Sequence, residues 1–189
     1  LWRLRRLAAV GGGPLNAGVR QHVDKATKRR TAEHVRKALT KRLADRGFVR
    51  SKPTFWARPR QHVIEFLHLH LFTFGPLFRV HCGIRVLNDA FDAAALNGPS
   101  SDDFRTNPQD TYSLGFADDD ASVAKCANEI ARFASDVAEP WFERFGDVVL
   151  LVKPDSPLDE QERHSLEQAL SGQADLARVE ASKQLLGVA

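Results

Sequence analysis

Three of the chain's seven histidines and one of its two cysteines fall in one short stretch, residues 68–84, HLHLFTFGPLFRVHCGI. An imidazole can change charge near neutral pH, ligate a metal, or donate and accept hydrogen bonds, so what matters is whether these rings meet. Along an extended strand side chains alternate between two faces. Phe78, Val80, Cys82, Ile84 and Val86 are all even-numbered, whereas Leu67, Leu69 and Leu71 are all odd. An antiparallel pair that buries both sets on one side must pair residues whose numbers sum to an odd value, because a one-residue slip turns a whole strand over. A four-residue loop, Phe74 to Leu77, meets this condition by pairing Thr73 with Phe78. Leu69 then opposes Cys82 on the core side. On the other side His70 opposes His81, His68 opposes Gly83, Phe72 opposes Arg79 and Phe66 opposes Arg85. Ile64 and Phe66 share this histidine side, which predicts either a cover over that end of it or a bulge that shifts the register upstream.

Three converging imidazoles can form a facial zinc-binding set. The same face carries Arg79 and Arg85 and no carboxylate or thiolate of its own, since Glu65 and Cys82 point the other way. Two guanidinium groups disfavour a divalent cation and favour an anion or carboxylate. His68, His70, His81, Arg79 and Arg85 are therefore read as a binding face for a protein partner or an anionic group. The alternative is a metal-dependent hydrolase using His68, His70 and His81, with a carboxylate brought from the polar loop by Asp102 or Asp103. No Gly-x-Ser-x-Gly elbow, phosphate-cradling Gly-x-x-x-x-Gly-Lys or Cys-x-x-Cys occurs, and no cofactor is expected. Asp118-Asp119-Asp120 reads as a helix start, where acids meet the positive end of the helix dipole. Cys82 and Cys126 read as reduced and buried.

The elements that must position these residues can be followed along the chain. TAEHVRKALTKRLADRGF predicts a helix from about Thr31 to Arg46, with Ala32, Val35, Leu39 and Leu43 as its apolar stripe and Gly47 closing it. A short β-rich run follows to Arg58-Pro59, then long strands over Gln61–Thr73 and Phe78–Leu87. Asn88 to Thr111 is a polar loop with room for one helical turn at Asp92–Leu96, and Thr111–Phe116 suits a short strand. Ala121–Val137 predicts a helix interrupted by Pro140, and Asp147–Val152 a buried strand. Ser156-Pro157 suggests the cap of a helix running to Leu170, and a last helix covers Ala174–Leu186. The fold class is α+β: a mainly antiparallel sheet of four or five strands, with the Thr31–Arg46 and Ala121–Val137 helices on its core face.

The 189 residues, 43% hydrophobic and 27% charged, fit one globular domain. No apolar run approaches the roughly 18–20 residues a membrane span needs, and a cytoplasmic protein is expected. The chain contains no methionine and opens LWRLRRLAAVGGGPL, whose apolar centre is too short for a secretory signal. We expect residues 1–27 to form a loose arm, which an open reading frame started too far upstream would also produce, and residues 28–189 to form the domain. Residues 1–60 carry 17 Lys/Arg against 3 Asp/Glu, a balance of +14, and residues 61–189 carry 10 against 21, a balance of −11. The two halves can neutralise each other in the fold. A nucleic-acid reading would instead use Arg29, Arg30, Lys37 and Lys41 on the basic arm and helix.

Gly47-Phe48-Val49-Arg50, then Thr54-Phe55-Trp56-Ala57-Arg58, then Phe78-Arg79-Val80-His81-Cys82-Gly83-Ile84 follow one another in an order that resembles the bacterial domain-of-unknown-function family 4304 over about residues 31–152. The family shares a Gly-Phe-basic turn, an aromatic-x-Arg strand and a Phe-x-Val-x-x-Gly-Ile strand. The resemblance implies a compact bacterial α+β domain and brings no functional residues with it. With no catalytic motif in view, the expectation is a non-enzymatic binding module of the immunity or regulatory type.

Overall fold

A computed structural model describes residues 24–103 and 111–188. The first helix, α1 (Lys25–Leu43), starts six residues before Thr31 because Asp24 caps it: its carboxylate accepts from the backbone N–H of Ala26 and Thr27. Thr31 sits buried inside the helix, and its hydroxyl donates to Asp118 instead. Residues 24–27 thus belong to the fold, while the rest of the expected arm lies outside the described residues. A single tight turn at Ala44–Arg46 leads to Gly47, whose φ of 76° is the left-handed geometry that closes the helix.

Four strands follow as an antiparallel meander in the order β1 (Val49–Lys52), β2 (Phe55–Pro59), β3 (Val63–Leu71) and β4 (Phe78–Val86). Alternation divides the side chains as expected. Trp56, Leu67, Leu69, Val80, Cys82 and Ile84 face a core shared with the apolar stripe of α1 and with Val123, Ala127, Ile130 and Phe133 of α2 (Asp120–Phe133). Each of the larger side chains buried there contributes about 1.5–3 kcal/mol. The chain is therefore an α+β fold with α1 and α2 on the core face.

The register differs by two residues from the expected one. Leu71 pairs with Phe78, Leu69 with Val80, Leu67 with Cys82, His70 with Arg79 and His68 with His81. Pair numbers sum to an odd value, as burial demands, but the connection is six residues long. Phe72 N–H donates to Leu77 O across its base, and further contacts fix its path. The ammonium group of Lys28 donates to the carbonyls of Phe72 and Thr73, and Phe78 N–H donates to Leu114 O rather than to Thr73.

The second face of the sheet is divided. At the end near the β2–β3 turn, Ala57, Ile64, Phe66 and Leu87 pack under Leu186 of α6 (Leu176–Leu186), which is the cover that Ile64 and Phe66 called for. The outer edge of β4 is guarded by the polar loop. Cys82 N–H donates to Pro99 O, Gly98 N–H to Cys82 O, and Ser101 N–H to Val80 O.

Several expected elements take other forms. Thr111–Phe116 makes only one isolated bridge, Leu77 with Gly115, and no helical turn forms at Asp92–Leu96. The helix after Ala121 does not break at Pro140. It widens into a π turn at Ala134–Ala138 and continues as α3 (Glu139–Arg144), the wider turn accommodating the missing proline N–H. Asp147–Val152 is not a strand. It holds the short helix α4 (Val148–Leu151), with Asp147 accepting from Val149 N–H and with Val149 and Leu150 exposed. Helix α5 (Glu160–Leu170) starts later than Ser156-Pro157, at a capping box in which Asp159 and Glu162 satisfy each other's backbone N–H groups. Among the described residues no helix is long and apolar enough to cross a membrane.

Candidate functional site

The half of the second sheet face that α6 leaves uncovered carries Phe55 on β2, His68 and His70 on β3, and Arg79 and His81 on β4. Their rings form a layer. Phe55 lies 4.5 Å from His68 between centroids, and His68 stacks on His81 at 6.1 Å with the rings 18° from parallel. At the hairpin tip His70 meets Phe72 edge-on at 5.6 Å, and Phe72 lies 4.8 Å from Phe74, which is 79% exposed.

The electrostatics of this layer are close to neutral. Partial burial pushes the His68 imidazole down to about 4, with His81 and His70 adding to the effect. His81 is lowered too, by burial and then by Arg79, against the opposing pull of Asp102. Both rings are therefore uncharged at pH 7. The guanidinium of Arg79 sits 4.7 Å from the Phe72 ring, and its Nε lies 2.8 Å from Asp102 Oδ2 without the alignment of a hydrogen bond. That contact is an ion pair. Nδ1 of His68 is buried without a hydrogen-bond partner.

Of the five residues expected to form the face, the structure brings His68, His70, Arg79 and His81 into the open half. Arg85 shares their side of β4 but lies under α6 at 2% exposure. Its guanidinium pairs with Asp89 at 2.6 Å and donates to Ser182 and to the carbonyls of Asp89, Phe91 and Ala93. It fastens the loop and α6 to the sheet and offers nothing outward. The three histidines do not gather into a ligand set either: His70 opposes Arg79, and no group of three or more His, Cys, Asp or Glu side chains able to hold a metal occurs among the described residues. Asp102 pairs with Arg79 rather than with an imidazole, and its other oxygen accepts from Ser100.

On α1, Arg29, Lys37 and Lys41 are exposed, while Arg30 pairs with Asp118 at 2.8 Å. Arg58 pairs with Glu65 and Glu139, and Arg60 with Glu65, so basic groups of the first 60 residues meet acids of the remainder inside the fold. Cys82 and Cys126 are free and buried, and burial pushes the Cys126 thiol up to about 12 and that of Cys82 higher still. Neither is a nucleophile at neutral pH.

A second constellation, at the other end of the sheet, went unseen in the sequence. Arg58 on β2 directly opposes Glu65 on β3 on the core side, and the Glu139 carboxylate accepts both Nη1 and Nη2 of Arg58 at 3.0 and 2.9 Å. Glu139 lies 81 residues from Arg58, so no local spacing announces it. The available sign was Glu65 itself, a carboxylate in phase with Leu67 and Leu69. No protein-family model, curated protein or solved structure matches this chain.

Proposed function

We propose that this chain is a non-enzymatic binding module, of an immunity-type or regulatory bacterial protein working in the cytoplasm, and that it recognises a protein partner through the open half of its second sheet face. The observation that carries this reading is the division of that face: α6 seals one half, and the other presents two groups of rings, Phe55 with His68 and His81, and His70 with Phe72 and Phe74. A protein segment suits this layer better than a free anion. Burial lowers the pKa of His68 and His81, Arg79 is already paired, Arg85 is withdrawn, and Lys28 is engaged by backbone carbonyls. The partner's complement is apolar or aromatic side chains with polar groups of either hydrogen-bonding sense, because aromatic centres ringed by polar groups dominate such interfaces.

The test uses the whole chain as bait in a lysate of its source organism, beside three variants of equal thermal stability. His81→Asp and Phe74→Asp alter the open half, and Leu176→Asp alters an exposed apolar site on α6. The expected result is a partner whose affinity falls at least tenfold with the first two and stays unchanged with the third. A partner held equally by all four forms would refute the assignment.

A further inference from the structure

We propose a second site, distinct from the open sheet face: a cleft of about 670 Å³ beside the Arg58–Glu65–Glu139 group that takes an organic cation, an ammonium or guanidinium group carried on an apolar stem. The floor of the cleft is built and held. Glu65 is buried, and both arginine contacts converge on one of its oxygens, Arg58 Nε at 2.6 Å and Arg60 Nε at 3.1 Å on Oε2. Both hydrogen bonds described for Glu65 fall on Oε2, and Glu65 lines the cleft, so Oε1 is left for a donor from outside.

The walls suit the rest of such a ligand. Phe142 and Phe145 line the cleft, and both rings already attract guanidinium groups of this chain, Arg58 at 5.6 Å from Phe142 and Arg144 at 5.2 Å from Phe145. A ring face that no cation occupies keeps the negative potential that attracts one. At the rim Glu143 and Asp147 add negative charge, and Leu170 offers a partly exposed apolar surface. Counted together, the lining carries Arg58 and Arg60 against Glu65, Glu139, Glu143 and Asp147, an excess of two negative charges.

Calorimetric titration of the full chain at low salt with pentylguanidinium, pentylammonium and the uncharged 1-pentanol tests the site. The charged probes are expected to bind at least tenfold more tightly than pentanol. Glu143→Gln, at an exposed position outside the ion-pair group, is expected to weaken them three- to tenfold, and Glu65→Gln to weaken them further. Should Glu65→Gln fail to fold, judged by its circular dichroism, Glu143→Gln alone decides. A short peptide with one internal arginine distinguishes the source of the cation: binding equal to pentylguanidinium marks a protein side chain, and exclusion of the peptide marks a small amine. Pentanol binding as well as the cations, a folded Glu143→Gln with unchanged affinity, or binding of inorganic phosphate at Arg60 in place of the cations would overturn the proposal.

Discussion

His68 shows how the environment of a single side chain sets what the open face can be. Its ring lies between Phe55 and His81, half out of water, and burial holds its pKa near 4 against 6.5 in an unfolded chain. The folded protein therefore binds fewer protons here than the unfolded one between those values. The stability this group confers is complete above pH 6.5 and is lost as pH falls toward 4. Allowing for solvent screening at a half-exposed site, the loss is roughly 1–2 kcal/mol. Urea titrations at pH 7.5, 6, 5 and 4.5 should show this decline, and His68→Gln should flatten it; equal slopes for both proteins would contradict the burial argued for this ring. Arg85 presents the opposite case, a charge wholly enclosed. Arg85→Ala leaves Asp89 buried and unpaired and strips the 89–93 loop and Ser182 of their donor, so a loss of about 3–5 kcal/mol is expected by chemical denaturation. A loss below 1 kcal/mol would mean that the loop and α6 are held by other contacts. The sequence placed both residues on one face of β3–β4. It could not separate them by burial, because what covers Arg85 is a helix almost a hundred residues away.

For elements, parity was legible and register was not. The alternation of apolar residues in β3 and β4 decides which side chains share a face, and the hairpin keeps that rule. The length of its turn depends on Lys28 from α1 and on Leu114, neither of which the strand pattern contains. So His68, not His70, faces His81. The short helix at Val148–Leu151 escaped for a related reason: four consecutive apolar residues suit a buried strand, but Asp147 caps them and two of the four point outward. The cap at Asp159 likewise prevailed over Ser156-Pro157 because a capping box satisfies two N–H groups at once. Gly83 links β4 to its neighbours. A Cβ there would enter the Phe66 ring and come 2.8 Å from Ala95 O, with no flexible end able to yield on the carbonyl side. Gly83→Ala is expected to destabilise by about 1–3 kcal/mol, as overpacking does in well-filled sites. The melting temperature checks it, and an unchanged value would show that the 94–97 loop stands off the strand. Gly75, with open space around it, is the control.

Over the whole molecule, a four-stranded sheet has one face closed by α1 and α2 and the other closed only in part by α6. The charge division between the first 60 residues and the rest appears in the fold as pairs such as Arg30–Asp118 and Arg58–Glu139, which accounts for part of the basic excess without a nucleic acid. Composition anticipated that pairing. It gave no sign of the Arg58–Glu65–Glu139 group or of the cleft beside it, because those residues meet only when α3 folds against the sheet. The open half of the second face is thus left uncovered by packing within the described chain, and a protein partner is expected to bind there. Hydrogen–deuterium exchange of the purified protein, free and saturated with the partner recovered from lysate, locates the surface where that partner binds. Protection gathered in 68–81, covering the ends of β3 and β4 and the hairpin tip, is the predicted result; protection confined to the exposed side of α1 or to α6, with 68–81 unchanged, would contradict it.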